Sequence, residues 1–512
     1  MTVAIKLFPD TYVDSVVQLR GMRAMREVDG VEWASAAMAT PANVETLRTE
    51  GVAAEQVADA GANDFFLVVR SATDSSAEEA LAAGSAAVTS TDGSRVADDR
   101  SEAPRSLRDA VRAEPTPDVA VISVPGDYAA LAAFQALSAD LHVLLFSDNV
   151  PVEKEVALKD HALSRGRLLM GPGAGTAMLG SVGLGFANAV KPGPVGVVAA
   201  AGTGAQEAMS LLDRWGVGIS QVIGVGGRDL SAQVGGRMAR AAIAALRDDP
   251  ATEVILFVSK PPAPEVARSV LATAGEKPLV AALIGLDPQF AGPDGVVLAD
   301  TLESGVAATL GVLGTTAPDT TTTSGPSVEQ ILDRLAPERR LIRGLFSGGT
   351  LCYESLVILG RTVGEVRSNT PINKEWGPPA PEGAHQCLDL GEEEYTRGRP
   401  HPMIDPEARI ELLAEHAADP QVGVIILDVV LGHGADGDPA STLAPACRAA
   451  MANGGPQVVA YVLGTDQDPQ GFASQRDRLV DAGCIVTETA ARASLVAAAI
   501  ATEDPSLARR PL

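Results

Sequence analysis

Cysteine is scarce in this chain and never closely paired: Cys352, Cys387, Cys447 and Cys484 are the four in 512 residues, with no C-x-x-C spacing. That pattern offers neither a zinc site nor a disulfide framework, and it fits a reducing cytoplasm, where the protein is expected to reside. Basic charge is short as well, with 40 Lys+Arg against 65 Asp+Glu and a formal charge of −25. Such a balance repels a phosphate backbone and an anionic bilayer at long range, so neither nucleic acid nor membrane is an expected partner. No run reaches ~18 uninterrupted apolar residues, and MTVAIKLFPDTYVDSVV at the start lacks a basic region followed by an apolar stretch. Export and membrane spanning are therefore not expected.

What the chain has is repetition. VGVVAAAGTGAQE (195–207) and LFSGGTLCYE (345–354) each run from an apolar stretch into a glycine-threonine turn, with Glu207 and Glu354 at one offset from Thr203 and Thr350. Two further pairs follow: DDPATEVILFVSK matches ADPQVGVIILDVV, and EKPLVAALIGLDPQ matches GPQVVAYVLGTDQDPQ. With 46% hydrophobic residues the chain can bury several cores, and its length corresponds to about three or four domains. The order of segments predicts residues 1–117 as a small N-terminal α+β domain and connector. Residues 118–193 follow as a Rossmann-like half built of βαβ units, with helices at Ala129–Leu137 and Val152–Arg165. Residues 194–313 form the first copy of the repeat, 314–334 a polar, Thr-rich linker, and 335–512 the second copy, which carries an extra loop, SNTPINKEWGPPAPEGAHQ. The expected fold class is α/β, with several Rossmann- or flavodoxin-like parallel-sheet domains.

A strand entering a glycine-rich turn and then a helix aims free N–H groups and the helix dipole at whatever lies above the turn. Gly202, Thr203 and Gly204, with Gly348, Gly349 and Thr350, are therefore candidate anion contacts. Glu207 and Glu354 sit one turn into each helix, where they complement the dipole or meet a substrate amide. Glu207 also stands where a dinucleotide fingerprint needs its third glycine, which argues against a nicotinamide cofactor. Arg228 and Asp229 in GVGGRDLS are read either as an ordinary ion pair or as anion and substrate contacts. In TRGRPHPMID, Arg397 and Arg399 can hold a phosphate or carboxylate bidentately, and His401, fixed between two prolines, is a candidate proton donor. Lys260 in SKPP, and His433 with Asp436 in LGHGADGDP, lie just past predicted strand ends. No metal cluster is recognisable, and no metal is assigned.

The order VISVPGDYAA, HVLLFSDNVP, LLMGPGAGTAM, VGVVAAAGTGAQEAM, QVIGVGGRDLS and EVILFVSKPP resembles the FdrA family, itself similar to the α subunit of succinyl-CoA synthetase. LDLGEEEYTRGRPHPMID and VVAYVLGTDQDPQ resemble the remainder of FdrA and, more distantly, the C-terminal domain of the synthetase β subunit. The resemblance covers essentially the whole chain and makes the two copies ligase-type modules. It implies a cytoplasmic protein of purine and allantoin nitrogen salvage that acts with two partner subunits as an oxamate carbamoyltransferase. The reaction implied exchanges a carbamoyl group between oxalurate and phosphate, giving oxamate and carbamoyl phosphate. An oligomer is expected and no cofactor is required. Phosphate attack on the ureido carbonyl calls for N–H donors at the developing oxyanion and for an acid, assigned to His401, at the departing nitrogen.

Three departures from the wider superfamily bear on this. The strand expected at Leu279–Ile284 runs into GLDPQFAGPDG instead of a Gly-His-Ala-Gly loop, and histidine is missing between His161 and His385, so phosphohistidine chemistry is not expected. Residues 1–117 offer no glycine-rich CoA-phosphate loop, and no ATP-grasp domain is visible. Where relatives carry Asp-Cys before Gly-Thr, this chain has Gly173-Ala174. An acyl-CoA synthetase-like protein that binds a CoA thioester, and a non-catalytic assembly subunit, remain the alternatives.

Overall fold

The computed structural model describes residues 2–11, 13, 15–49, 51, 52, 60, 61, 63–89, 104, 106–112, 115–396 and 400–512. Contacts group residues 1–103 with 397–400 into one unit and residues 104–396 with 401–512 into another. The first unit runs β1 (Thr2–Phe8), α1 (Ser15–Arg26), β2 (Val31–Met38), α2 (Pro41–Thr49), β3 (Phe65–Ser71) and α3 (Asp74–Thr89). Its antiparallel sheet has the order β1-β3-β2. β3 is central because it is apolar on both faces. Phe65, Leu67 and Val69 pack with Met25, Ala77 and Ala80, while Phe66 and Val68 pack with Leu47 and Val52. Gly84 lets α3 cross α1 closely, since a Cβ there would stand 2.6 Å from Met25 Cγ.

The second unit begins with α4 (Leu107–Val111), β4 (Val119–Ile122), α5 (Gly126–Ser138), β5 (His142–Leu145), α6 (Val152–Ser164) and β6 (Leu169–Met170). They build a small parallel sheet of order β4-β5-β6. β7 (Thr176–Leu179) and β8 (Val182–Gly185) form an antiparallel hairpin, which the sequence reading placed with the Rossmann-like half. The hairpin instead pairs with β10 and extends the sheet of the first module.

That module continues through β9 (Pro192–Ala199), α7 (Gly202–Arg214), β10 (Ile219–Gly224), α8 (Arg237–Asp248) and β11 (Val254–Ser259). It ends with α9 (Pro264–Leu271), β12 (Leu279–Leu283), β13 (Val296–Ala299) and α10 (Leu302–Val312). The second module holds β14 (Thr323–Ser324), α11 (Val328–Leu332), β15 (Leu341–Phe346), α12 (Gly349–Thr362), β16 (Val366–Arg367), β17 (His385–Asp389) and α13 (Glu393–Thr396). After these come α14 (Glu407–Ala418), β18 (Val422–Val430), α15 (Pro439–Met451), β19 (Gln457–Leu463), α16 (Phe472–Asp481), β20 (Ile485–Thr487) and α17 (Ala490–Thr502). The sheet orders are β13-β12-β11-β9-β10-β7-β8 and β14-β20-β19-β18-β15-β17-β16. Counted from β9 and from β15, with the two-residue edge strand β16 set aside, both modules arrange their parallel strands as 5-4-3-1-2, the flavodoxin-like order, so the repeat in the sequence is a repeat in topology.

Each sheet is buried on both faces, as parallel sheets must be. Val197 and Val258 of the first module share one core with Ile426 and Tyr461 of the second, so the modules close on each other. The outward residues Val198, Ile255 and Phe257 pack toward the small sheet, and Ile425, Leu427 and Val429 toward α15. The 314–334 stretch is not a free linker: β14 pairs antiparallel with β20, a Ser327–Gln330 capping box starts α11, and Thr320 donates to Glu303 at 2.6 Å. Glu303 is in turn held by Arg492 of α17 at 2.6 Å. The GTDQDPQ motif also serves closure, because Asp468 accepts Asn188 Nδ2 at 2.8 Å and Ala189 N at 2.7 Å across the modules.

GVGGRDLS performs a similar structural task. α8 starts after Gly236 in the left-handed region without a side-chain cap of its own. Asp229 supplies it from a distance, accepting Met238 N at 3.1 Å and Ala239 N at 2.9 Å. Its charge is balanced by Lys159 of α6 at 2.7 Å, which also meets Glu155 at 2.8 Å and Val225 O at 3.1 Å, all buried. Asp229, read as a substrate contact, is therefore a capping residue inside the core. Arg228, read as an anion contact, instead meets Val150 O at 2.6 Å and Glu155 at 2.9 Å. Removing one partner from such a cluster leaves uncompensated charge in a dry site. Lys159→Ala is expected to cost about 3–5 kcal/mol in denaturant unfolding, and a loss below ~1 kcal/mol would show that water reaches the two carboxylates.

Candidate functional site

In open α/β sheets, ligands bind beyond the carboxyl ends of strands 1 and 3, where the winding reverses. Here the two modules place those ends together. β9 leads into Gly202 at the start of α7, β15 leads through Ser347 and Gly348 into Gly349 at the start of α12, and both turns line one cleft of ≈ 400 Å³. The contact between them is reciprocal. Thr350 N donates to Thr203 Oγ1 at 3.3 Å, a Cβ on Gly204 would stand 3.0 Å from Thr350 Cγ2, and one on Gly348 would stand 2.9 Å from Thr203 Cγ2. Each turn keeps a glycine where the other presents its threonine.

The two corners differ in what they offer an anion. At the first, α7 has no side-chain cap, and among the described residues no protein group accepts from the N–H of Gly202, Thr203 or Gly204. Thr176 Oγ1 lies buried without a partner beside this turn. At the second, Asp428 already accepts Ser347 N at 2.7 Å, Ser347 Oγ at 2.9 Å and Gly348 N at 2.7 Å, and is itself paired with Arg409 at 3.1 Å. Gly348 is thus corrected from an anion contact to a turn residue whose N–H is occupied.

Among the other candidates, Lys260 lines the cleft, its ammonium 5.3 Å from the centre of the Tyr353 ring and in no ion pair with the described residues. His401 lines it too, but not as the expected acid. Burial, and then the Arg409 charge, push its pKa down to about 4, and Nδ1 accepts Met403 N at 3.2 Å. The ring is therefore neutral at physiological pH and presents Nε2–H to its surroundings. Arg397 and Arg399 lie outside the described residues. Gly173 lines the cleft while Ala174 is buried behind it, so the pair that replaces Asp-Cys borders the site. His433 and Asp436 do not line it: their N–H groups donate to Ala187 O and Met403 O, both at 2.8 Å.

Glu207 and Glu354 are corrected outright as substrate contacts. Both lie beneath the cleft, each 1% exposed, and neither lines it. Tyr461 donates to Glu207 Oε2 at 2.5 Å, and Leu302 N donates to Glu354 Oε1 at 2.6 Å while Oε2 has no partner. One residue was missed: Asp389, the last of β17, lines the cleft beside Lys260 and His401. A carboxylate closing an apolar strand in front of Gly391 was the available signal in CLDLGEE.

Burial sets the two hidden carboxyls apart from ordinary glutamates. It is the main cause that raises Glu207 from 4.5 to about 7 and Glu354 from 4.5 to about 8. The folded state then binds more protons than the unfolded chain between those values. Stability is full below pH 4.5 and falls as pH rises through about 7 and about 8. The double substitution Glu207→Gln with Glu354→Gln is expected to flatten the unfolding midpoint over that window. An unchanged pH slope in thermal melts would show that neither carboxyl is held neutral by the fold.

Comparison with known proteins agrees with this layout. Residues 345–500 match the CoA-ligase family, residues 190–284 the CoA binding domain, and residues 1–104 the family described as AllF, heavy metal-associated domain. Residues 1–104 contain neither cysteine nor histidine, the thiolate and imidazole donors that a soft metal takes, so they do not fit such an ion. The protein YahF of Escherichia coli (strain K12) is 39% identical over 514 residues, covering 97% of this chain and 98% of its own. The ADP-forming sulfoacetate-CoA ligase subunit SauD of Bilophila wadsworthia (strain 3_1_6) is 30% identical over 190 residues, 35% of this chain and 63% of that subunit. Among solved structures, the dinucleotide forming acetyl-coenzyme A synthetase 1 of Ca. Korarchaeum cryptofilum, in complex with phosphate and ADP, aligns at 16% identity. Its TM-score is 0.31, covering 76% of this chain and 84% of that one.

Proposed function

The chain belongs to the FdrA family of succinyl-CoA synthetase-like proteins, and on that premise we propose that it is a subunit of a carbamoyltransferase. The reaction moves a carbamoyl group between an oxalurate-like ureido acid and phosphate, giving oxamate and carbamoyl phosphate. The protein works in the cytoplasm, in an oligomer with two partner subunits. The observation that carries this reading is the convergence of two helix starts from two modules on one cleft, with N–H groups, a threonine hydroxyl and a lysine that have no partner among the described residues.

The residues divide the work as follows. The N–H groups of Gly202, Thr203 and Gly204 with Thr176 Oγ1 hold the phosphate dianion at the positive end of α7. Lys260 takes the carboxylate of the ureido acid. Neutral His401 donates Nε2–H to the carbonyl oxygen as it becomes an oxyanion, a donor fixed in advance being worth several kcal/mol in such a site. No phosphohistidine is needed, because phosphate itself is the nucleophile.

A second reading, a protein that binds a CoA thioester, is favoured by the CoA binding and CoA-ligase matches. Against it, among the described residues β4 is preceded by α4 and not by a strand, glycine turn and helix in its sheet. The assay that separates the two supplies the chain and its partners with a ureido acid and phosphate and couples carbamoyl phosphate to carbamate kinase and ADP, read as ATP. Signal that needs phosphate but not CoA supports carbamoyl transfer, and an absolute need for CoA or added ATP refutes it. In the chain alone, Lys260→Met is expected to weaken binding of the ureido acid by about 1.5–3 kcal/mol in titration calorimetry. Unchanged affinity would remove Lys260 from the site.

A further inference from the structure

A proton must reach the departing amide nitrogen, and the structure removes His401 from that task. Asp389 stands in the right place with an unusual amount of support. Asn369, from the extra loop of the second module, clamps its backbone on both sides, accepting Asp389 N at 2.9 Å and donating to Asp389 O at 2.8 Å. Gly391 N donates to Oδ1 at 3.0 Å. Oδ2 accepts no hydrogen bond from the described residues, and it lies so close to the start of α12 that a Cβ on Gly349 would stand 2.3 Å from it. One carboxyl oxygen is thus fixed and the other is left open where the two turns meet.

We propose that Asp389 is the proton carrier of the cleft: it takes up a proton when an anion binds between the turns and delivers it to the departing nitrogen. The delivery step rests on the carbamoyl-transfer reading, whereas the uptake step does not. In the transfer, a phosphate oxygen forms a bond to the ureido carbon and the carbon–nitrogen bond breaks. The departing nitrogen keeps the electron pair and takes the proton from the Asp389 carboxyl. The carboxylate left behind recovers a proton from the attacking hydrogen phosphate, so carbamoyl phosphate leaves as the dianion and oxamate as the neutral amide bearing its carboxylate. Protons and charge balance without a further reactant.

The surroundings fit a group poised near neutrality. Burial raises Asp389 from 3.8 to about 6, against the pull of Lys260, and Glu392 and Asp428 add to the rise. Neutral His401 and the buried Cys352 thiol complete the groups facing it. A dianion held at α7 adds negative charge inside the same low-dielectric space and draws a proton on. Asp148 and Glu392 also line the cleft, but both are solvent-exposed, where that field is screened.

The test is binding of sulfate, which takes no proton itself near neutrality, to the full chain at about pH 6.5, by calorimetry in two buffers of different ionisation enthalpy. The wild type is expected to take up a large fraction of a proton per sulfate. Asp389→Asn is expected to bind sulfate at least as tightly with no uptake. Asn369→Ala, which frees the strand end without touching the carboxyl, is expected to keep affinity within roughly threefold and to lower the uptake. Glu207→Gln should leave uptake unchanged. Uptake that survives in Asp389→Asn, or disappears in Glu207→Gln, overturns the proposal while leaving the anion cleft standing. Wild-type protein that binds neither sulfate nor phosphate overturns the cleft reading and the proposal together. In the assembled enzyme, Asp389→Asn is expected to lower kcat by about 10²-fold or more with little change in KM, the range of a lost general acid.

Discussion

The meeting of two helix starts is the constraint on which the second unit depends. Thr203 and Thr350 can come within hydrogen-bond range only because glycines at 204 and 348 leave space for the opposing side chains. That approach fixes the crossing of α7 and α12, and with it the single core that both modules share. It also concentrates two positive dipole ends in one small volume, a disposition that repels itself until negative charge arrives. Asp428 neutralises one of the two ends from within the protein, paired with Arg409. The other end is left open. The site is therefore asymmetric by construction: two related turns meet, and one has become the internal support of the other.

The same closeness accounts for the buried glutamates. A helix of a half-exposed module would turn its sixth residue to water, but α7 and α12 are covered by α10, α17 and each other, so among the described residues Glu207 and Glu354 find only Tyr461 and backbone N–H groups. Keeping them neutral avoids the cost of two ionised carboxylates in a dry core. Glu303, also buried, is instead surrounded by Arg492 and the hydroxyls of Thr320 and Thr489.

Much of this architecture was legible in the sequence. The repeat of strand, glycine turn and helix at a constant offset announced two modules, and their parallel strands follow one order because each strand-helix pair folds back locally. The turns were found because glycine next to threonine at a strand end has few other uses. What could not be read was partnership across long separations. Nothing near Gly348 says that Asp428, eighty residues on, occupies its N–H. Nothing near Arg228-Asp229 says that Lys159 lies beneath them, and so a capping aspartate looked like a ligand contact. The threonine-rich stretch looked like a tether because its composition is polar, whereas pairing with β20 is a backbone property that composition does not record.

Family membership fixes the scaffold and leaves the chemistry to a few side chains. The loop after β12 carries no histidine, and the starts of α7 and α12 meet at one cleft. On the proposed carbamoyl-transfer reading, that cleft takes a free phosphate that acts as nucleophile. Such a nucleophile makes no demand for ATP or metal, but it brings a proton that must be removed and a leaving nitrogen that must gain one. On that reading the work of the cleft is proton handling, and the extra loop of the second module bears on it: Asn369 reaches across to grip the backbone of the one buried carboxylate, Asp389, that lines the described cleft. The extra loop thus orders the end of β17 at the cleft without interrupting either sheet.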